Sequence, residues 1–473
     1  MGLRKTVEVV PRARRTLTSL RNLGYDLRHA VADIVDNSIS AGATVVDITV
    51  HFAGRGSWIR ISDNGRGMNA EELTEAFRYG SDREYSKTEL GRFGFGLKAA
   101  STSQCRKVTV ISRADTSGAA LEGRELDVDH IAEVDNWEIF ELAPDELPEG
   151  ARSVLGDGPG TVVLWEDLDR VLQYQDPFGG WAKRQLIACA EDIDQHLAMV
   201  FHRFLAGEVA DGELLRITVN GSRVEPWDPF CRAESGTSPL QEEDLEVRSR
   251  GGNGIVRLRP FVLPNQDGFS SSAAWKRASG PKNWNRQQGF YVYRADRMIQ
   301  AGGWCRLRAV EEHTKLARVS LEFFPELDSA FGVNVAKASV TLPEELRVAL
   351  GPLVSTWCGV ANTAYRLKRR PTSSTPTRPR SSSTPTGRHI SQTNPSQDAP
   401  DRVRGDAQPK GAASPALASG APAATSQIVD PPASSARQAL EAAAAQVGED
   451  SALARIVTAL RTMSPEVARD LGW

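Results

Sequence analysis

The stretch GRFGFGLKAAS, residues 91–101, joins three glycines to a lysine and a run of small residues that can begin a helix. Glycine allows backbone N–H groups to approach a ligand closely, and a helix start adds further N–H groups that bind anions. The stretch therefore predicts a phosphate-binding loop. A flexible loop without a ligand is the alternative, because short glycine-rich matches arise by chance. The segments that precede it decide between these two interpretations.

The first upstream motif is DIVDN, residues 33–37, within YDLRHAVADIVDNSISA, residues 25–41. Apolar residues recur in this segment near the 3.6-residue period of an amphipathic helix. Asp33 and Asn37 are four residues apart, so they share one face of that helix. An amide oxygen can bind Mg²⁺, and a carboxylate can polarise a nearby water molecule. An exposed polar helix face is the alternative interpretation.

The second upstream motif is ISDNGRGM, residues 61–68. A predicted strand brings Asp63 to its C-terminal end, and Gly65 and Gly67 follow in a turn. A carboxylate in this position can accept a hydrogen bond from the exocyclic amine of adenine, and the glycines allow the backbone to approach the ring. A simple hairpin turn is the alternative, since Asn-Gly is a common hairpin signal.

Composition excludes several classes of protein. The chain has 473 residues, 40% of them hydrophobic, which is enough for two or three folded domains. The net charge of −3 gives no overall signal for nucleic-acid binding. The five cysteines form no CxxC pair, so a reducing cytoplasm is expected. We expect no membrane span and no signal peptide, because long apolar runs are missing.

The pattern of elements predicts the α+β class. The first 170 residues mix helical and strand periods with hairpin-like pairs, which is typical of a layer sandwich. Helices are predicted at 25–41 and 181–206, and strands at 44–52, 57–63, 107–114 and 160–169. A second α/β unit is predicted from about residue 213, with strands at 214–226, 254–263, 288–300 and 318–325 and helices at 343–351 and 352–367.

The composition changes sharply after residue 367. Residues 368–434 are dominated by Pro, Ser, Thr, Ala and Gly, so they are predicted to form a disordered linker. The first part of this linker is basic, which predicts either a solubilising tether or a weak contact with nucleic acid. Residues 435–473 have helical patterns but are too few for an independent core, so they are expected to dock on a partner or on the body of the protein.

The motifs in this order resemble those of the GHKL ATPases, the superfamily of DNA gyrase B, the ninety-kilodalton heat-shock chaperone, histidine kinases and MutL. DIVDN resembles the E-x-x-x-N box, DNGRG the D-x-G-x-G box, GRFGFG the lid, and Gly160–Thr161 the fourth motif. Within the superfamily the sequence is most similar to MORC-type and heat-shock-chaperone-like proteins of bacteria, and VYRADRMIQ (292–300) resembles the arm strand of their second domain. The resemblance implies a Bergerat-type sandwich over residues 1–180 and an S5-like transducer domain over residues 181–367.

The resemblance also implies an ATP site that uses Mg²⁺. Asn37 would bind Mg²⁺, Asp63 would bind adenine, and Thr161 would support Asp63. The glycine-rich motifs would contact the rest of the nucleotide, with Gly65, Gly67 and Met68 at the base and Gly91, Gly94 and Gly96 at the phosphates. Lys98, which follows the lid, could add positive charge there.

The sequence departs from the family at the general base. This base is usually glutamate, whereas the chain has Asp33. Aspartate is shorter by one methylene, and a base must lie within about 3 Å of its water molecule or act through another one. Slow turnover is therefore expected. Asp36 is an alternative carboxylate, although it faces partly away from Asn37.

The resemblance further implies that a lysine of the second domain contacts the γ-phosphate of ATP. Lys337, in FGVNVAKASV (331–340), is the first candidate, and Lys315 is the second. A solvated surface lysine is the alternative for either residue.

The expected function is slow ATP hydrolysis by a cytoplasmic protein that forms a homodimer when ATP is bound. Closure as a clamp on DNA, in a bacterial DNA-handling or phage-defence system, is expected by analogy with the family. The alternative is a non-hydrolysing module, in which ATP binding exposes a surface and the C-terminal helices recruit an effector protein. A protein kinase of the histidine-kinase type is disfavoured, because little sequence precedes the first motif and a large second domain follows the last one.

Overall fold

The computed structural model describes residues 7, 9–22, 25–79, 96–173, 176, 178–209, 212–249, 252–332, 340–367, 457, 458 and 461. The chain divides into two compact units, Met1–Pro376 and Thr377–Trp473. In the second unit the three described residues are helical. The predicted linker and almost all of the predicted C-terminal helical segment lie outside the described residues.

The first sheet of the first unit has eight strands. They are β1 (Val45–His51), β2 (Trp58–Asp63), β3 (Lys107–Arg113), β4 (Glu122–Asp127), β5 (Phe140–Glu141), β6 (Gly160–Glu166), β7 (Arg216–Val219) and β8 (Ser222–Arg223). Their order is β5-β4-β3-β6-β2-β1-β7-β8. Strands β1 and β7 are parallel, and the other neighbouring pairs are antiparallel.

Helices pack on both faces of this sheet, most of them on the face that holds the main core. They are α1 (Ala13–Arg21), α2 (Leu27–Ser40), α3 (Ala70–Phe77), α4 (Gly96–Thr102), α5 (Val128–Val134), α6 (Glu149–Leu155), α7 (Gly180–Val200) and α8 (His202–Leu205). Successive strand residues point to opposite faces of the sheet. Val163 of β6 therefore joins Val35 of α2 in the main core, whereas Val162 lies on the other face with Ile111 and Leu147.

The stretch at 214–226, predicted to start the second unit, belongs to the first sheet. It forms β7 and β8, and β7 pairs in parallel with β1 from Val45↔Arg216 to Ile48↔Val219. Helix α7 carries the chain back to this edge, as a parallel connection requires. The predicted Asn-Gly turn is present, since Asn220 and Gly221 have φ values of 49° and 77°.

The second sheet has six strands. They are β9 (Ser238–Pro239), β10 (Glu243–Ser249), β11 (Gly252–Val262), β12 (Gly289–Arg294), β13 (Arg297–Ala301) and β14 (Ala317–Phe323). The order is β10-β11-β14-β12-β13, and β9 pairs with β11. In the described part of the chain this sheet is accompanied by α9 (Ser272–Ala278), α10 (Asn283–Arg286) and α11 (Glu344–Arg366). Two mixed sheets with packed helices confirm the predicted α+β class.

Two predicted elements differ from the structure. The predicted strand at 288–300 is a hairpin of β12 and β13, because Ala295 and Asp296 turn the chain with φ values of 47° and 65°. Alanine rarely adopts this conformation, so the turn has a weak sequence signal. The two predicted helices at 343–367 are one helix, α11, which continues through Pro352. Within the described ranges, no helix is both long enough and apolar enough to cross a bilayer.

The two sheets are joined at α8. Arg203 of α8 is 10% exposed at its side chain and pairs with Glu322 of β14 and with Asp296, each at 2.7 Å. The adjacent residue, His202, lies 2.8 Å from the hydroxyl of Tyr293. These buried polar contacts link the last helix of the first sheet to the strands of the second.

We predict that Arg203→Met lowers the free energy of unfolding by about 3–5 kcal/mol, because the buried carboxylate of Glu322 loses its partner. The control is Arg232→Met, since Arg232 also contacts two acids, Glu208 and Asp228, but is 42% exposed at its side chain. Its loss should cost about 0–1 kcal/mol. Urea unfolding of both variants measures the difference, and equal losses would contradict the assigned role of burial.

Candidate functional site

Helix α2 presents the first motif. Asp26 caps the helix by accepting a hydrogen bond from the N–H of Arg28, and buried apolar residues hold one face against the core. Asp33 and Asn37 are one turn apart, as predicted. The side chain of Asn37 is exposed, whereas Asp33 is only 2% exposed. The amide is therefore accessible to a ligand, and the carboxylate lies deeper in the protein.

Asp33 is held by groups from two directions. The hydroxyl of Tyr25 donates to Oδ2 at 3.1 Å, and Nη2 of Arg297 lies 3.8 Å from Oδ1. Burial raises the pKa of Tyr25, and the negative charge of Asp33 raises it further. Tyr25 therefore remains a protonated donor at all physiological pH values. No sequence motif identified Tyr25 or Arg297 as a neighbour of Asp33.

Asp36, the alternative carboxylate, is fully buried in an ion pair. Nε of Arg297 donates to its carboxylate at 2.9 Å, and Asp36 has 0% exposure. The same arginine therefore faces both acids of the DIVDN motif. Because Asp36 is engaged in this hydrogen-bonded ion pair, Asp33 is the better candidate for the residue that acts on a ligand.

Asp63 ends strand β2 in a network of donors. Ser38 Oγ donates to Oδ2 at 2.8 Å, and the N–H of Gly65 donates to Oδ1 at 2.9 Å. Burial raises the pKa of Asp63, and these hydrogen bonds, with one from the backbone of Thr161, oppose the increase. Ser38 directly follows Asn37, so one helix turn supports both the amide and the carboxylate of the predicted site.

The glycines after Asp63 are required by close backbone contacts. A Cβ atom on Gly67 would lie 1.8 Å from the carbonyl oxygen of Arg113, and Gly67 has a φ of 63°. A Cβ atom on Gly65 would lie 2.9 Å from that of Ala41. The turn can therefore fold closely against β3 only with glycine at position 67, and a side chain at position 65 would crowd the end of α2.

Met68 and Thr161 are connected through Ser112, which was not predicted. The N–H of Met68 donates to Ser112 Oγ at 2.9 Å, and Thr161 Oγ1 lies 2.9 Å from the same atom. Ser112 and Thr161 are directly opposite in the β3–β6 pairing, and Asp63 is opposite Thr161 in the β2–β6 pairing. Strand register therefore brings Asp63, Met68 and Thr161 together.

Lys98 lies on α4, two residues after Gly96 begins that helix. Its ammonium donates to the carbonyl oxygen of Arg78 at 2.5 Å and lies 5.6 Å from the ring centre of Tyr79. Burial lowers the pKa of Lys98 to about 8. In this conformation the ammonium is engaged at the end of α3, so contact with a phosphate would require it to turn away.

The remaining predicted site residues are Lys315 and three residues that the structure does not describe. Gly91, Gly94 and Lys337 lie outside the described residues. Lys315, the second candidate for the γ-phosphate lysine, pairs with Glu312 and lies 5.2 Å from the ring centre of Tyr365 within the second domain. Its ammonium is thus engaged locally.

Comparison with known proteins agrees with this geometry. Residues 25–161 match the family model described as "Histidine kinase-, DNA gyrase B-, and HSP90-like ATPase". These residues form a GHKL-type ATPase domain. The matched range runs from Tyr25 to Thr161, so it includes Asp33, Asn37, Asp63 and Thr161 but not Arg297. The domain implies ATP binding.

Curated relatives include the DNA mismatch repair protein MutL of Salmonella heidelberg (strain SL476) and of Salmonella schwarzengrund (strain CVM19633). Each is 39% identical over 107 residues, which are 21% of this chain and 17% of the relative. The similarity is therefore distant and partial, and it covers about a sixth of the length of either relative.

We predict that Gly67→Ala lowers the free energy of unfolding by about 2–5 kcal/mol, because a left-handed backbone and a backbone clash act together. Gly118→Ala is the matched control, since Gly118 has a φ of 76° with nothing within 4 Å of an added Cβ atom. It should cost only about 1–2 kcal/mol. Thermal and urea unfolding compare the two, and similar losses would argue against the tight turn.

Lys98 should give a measurable pH dependence of stability. Its pKa is lowered from 10.5 to about 8 on folding, so the unfolded chain binds more protons between these values. The contribution of Lys98 to the free energy of unfolding therefore rises with pH across this window. Relative to Lys98→Met, the wild type should gain up to about 3 kcal/mol between pH 8 and pH 10.5. Urea titrations at several pH values test this, and Lys183→Met, at an exposed position of α7, is the control. Parallel pH profiles for wild type and Lys98→Met would refute the assignment.

Proposed function

We propose that this protein is a Mg²⁺-dependent ATPase with a slow turnover. The observation that carries the proposal is the half-buried carboxylate of Asp63 at the end of β2, which Ser38 and Gly65 hold in position within the matched ATPase domain. A carboxylate that is fixed in this way can accept a hydrogen bond from the exocyclic amine of adenine. The adenine ring is proposed to lie beside the turn at Gly65 and Gly67, next to Met68.

Asn37 is proposed to bind Mg²⁺. Its side-chain amide is exposed and lies one helical turn from Asp33. Mg²⁺ is commonly held by one or two protein oxygens together with phosphates and water, so a single amide oxygen fits this ion. When bound, the ion would neutralise phosphate charge. Gly91, Gly94 and Gly96 are proposed to surround the phosphates, and Lys98 and Lys337 remain candidates for positive charge near them.

Asp33 is proposed as the general base that takes a proton from the attacking water molecule. The hydroxyl of Tyr25 fixes one of its oxygens. Two features support slow turnover. Aspartate is short, and only 2% of Asp33 is exposed, so water must reach a deep carboxylate.

Dimerisation on ATP and closure around DNA are proposed as the biological use of this activity. The support is the partial likeness to a DNA mismatch repair protein and the basic residues at the start of the predicted linker. A cytoplasmic MORC-type clamp that works with an effector protein is the form we favour. Chemistry on DNA would come from that partner.

A non-hydrolysing, ATP-gated module is the second candidate. The burial of Asp33 between Tyr25 and Arg297 favours it, because a base that water cannot reach does not turn over. In that case ATP would act only by its differential affinity for two conformations of the protein.

We predict that the wild type hydrolyses ATP with Mg²⁺, that Asp33→Ala binds ATP but loses about 100-fold or more in rate, and that Asn37→Ala loses Mg²⁺-dependent binding. Binding and hydrolysis are measured on the same full-length samples, with and without duplex DNA. Asn136→Ala, at an exposed asparagine outside the site, is the control. If wild type and Asp33→Ala both bind ATP and neither hydrolyses it, the ATPase proposal fails and the gated module stands.

A further inference from the structure

A single arginine of the second sheet reaches the acidic face of α2. Arg297, the first residue of β13, is 2% exposed. Its Nε donates to Asp36 at 2.9 Å, and its Nη2 lies 3.8 Å from Asp33. The three side chains form a buried charged cluster that joins the ATPase domain to the second sheet.

Asp36 orients this arginine. The guanidinium group is planar and its donors have fixed directions, so a hydrogen bond at Nε determines where the Nη atoms point. Nη1 donates to the carbonyl oxygen of Met298 at 3.2 Å, and Phe201 lies beneath the group with its ring centre 5.9 Å away. Nη2 is thereby held toward Asp33.

The distance from Nη2 of Arg297 to Asp33 distinguishes an ion pair from a hydrogen bond. At 3.8 Å, Nη2 is an ion-pair partner of Asp33 but lies beyond hydrogen-bond distance. The guanidinium group therefore acts on Asp33 through its charge instead of a direct hydrogen bond from Nη2. Tyr25 fixes Oδ2 from the other side. Together these contacts orient the carboxylate that is proposed as the general base.

We propose that Arg297 is a positioning residue for ATP hydrolysis. Through this arginine, the position of the second sheet relative to α2 determines the orientation of the Asp33 carboxylate. This inference rests on the proposed ATPase function. The hairpin that carries Arg297 is packed into the same apolar core as α2 and α7, through Met298 and Ala301. A shift of this hairpin therefore moves the cation relative to the base.

Packing alone does not account for this cluster. A buried ion pair costs desolvation free energy, and apolar residues of similar volume often stabilise a protein equally well. Two buried acids on α2 with one arginine from a distant strand therefore stabilise the contact between the domains no more effectively than apolar residues could. A requirement for an oriented Asp33 explains why the charges are present.

The test compares ATP binding and hydrolysis by full-length Arg297→Met, Arg297→Lys and the double variant Arg297→Met/Asp36→Asn. The double variant removes one positive and one negative charge, so it protects the measurement if Arg297→Met alone fails to fold. We expect ATP affinity within about threefold of wild type and a loss of about 10- to 100-fold in kcat for the methionine variants, because small displacements of a catalytic group cost this much. Arg297→Lys, which restores a cation, should recover part of the rate.

The control is Arg294→Met. Arg294 is opposite Arg297 in the same hairpin and forms a buried ion pair with Asp328 at 2.7 Å, within the second domain. Its loss tests whether any buried arginine of this hairpin lowers the rate, and we expect a folded sample to keep kcat within about twofold of wild type. Equal losses in Arg294→Met and Arg297→Met would overturn the proposal, because they would indicate general destabilisation.

The outcomes separate this proposal from the one on which it rests. If the wild type hydrolyses ATP and the double variant does so at the wild-type rate or faster, the positioning role is refuted while the ATPase proposal stands. If the wild type does not hydrolyse ATP and Asp33→Ala behaves identically, the ATPase proposal fails, and the role of Arg297 in hydrolysis fails with it.

Discussion

The burial of two carboxylates on one turn of α2 is the constraint on which the arrangement of this molecule depends. Asp33 and Asp36 are 2% and 0% exposed, and buried charges are costly unless a cation or strong donors accompany them. Tyr25 supplies a donor, and the opposite charge comes from Arg297 of the second sheet. The ATPase domain therefore has its acidic face completed by a strand that lies far away in the sequence.

The opposite edge of the site depends on strand register instead of charge. Antiparallel pairing of β2, β6 and β3 aligns Asp63, Thr161 and Ser112 across three strands. Ser38 then connects this row to α2 through its hydrogen bond to Asp63. The adenine end of the proposed nucleotide site is thus built on the first sheet and α2, whereas the Asp33 end also depends on the position of the second sheet.

The elements with strong local signals agree with their predictions. The amphipathic period predicted a helix at 25–41, and α2 spans Leu27–Ser40. The strands that end in Asp63 and begin at Gly160 also lie where they were predicted. The failures come from tertiary pairing and unusual turns. The strand β7 joined the first sheet by pairing with β1, and the hairpin at Ala295 turns with a residue that rarely adopts positive φ.

The sequence by itself determined the ATPase domain, because the motifs are short local signals whose order and residue types follow directly from the chain. It also identified Asp63, Gly65, Gly67 and Thr161 as candidate residues of one nucleotide site. Only the tertiary structure decided which carboxylate of DIVDN accepts a hydrogen bond from Arg297 and which groups orient the other. The physical reason is distance along the chain, since Arg297 and Asp36 are 261 residues apart and meet only after both sheets have packed.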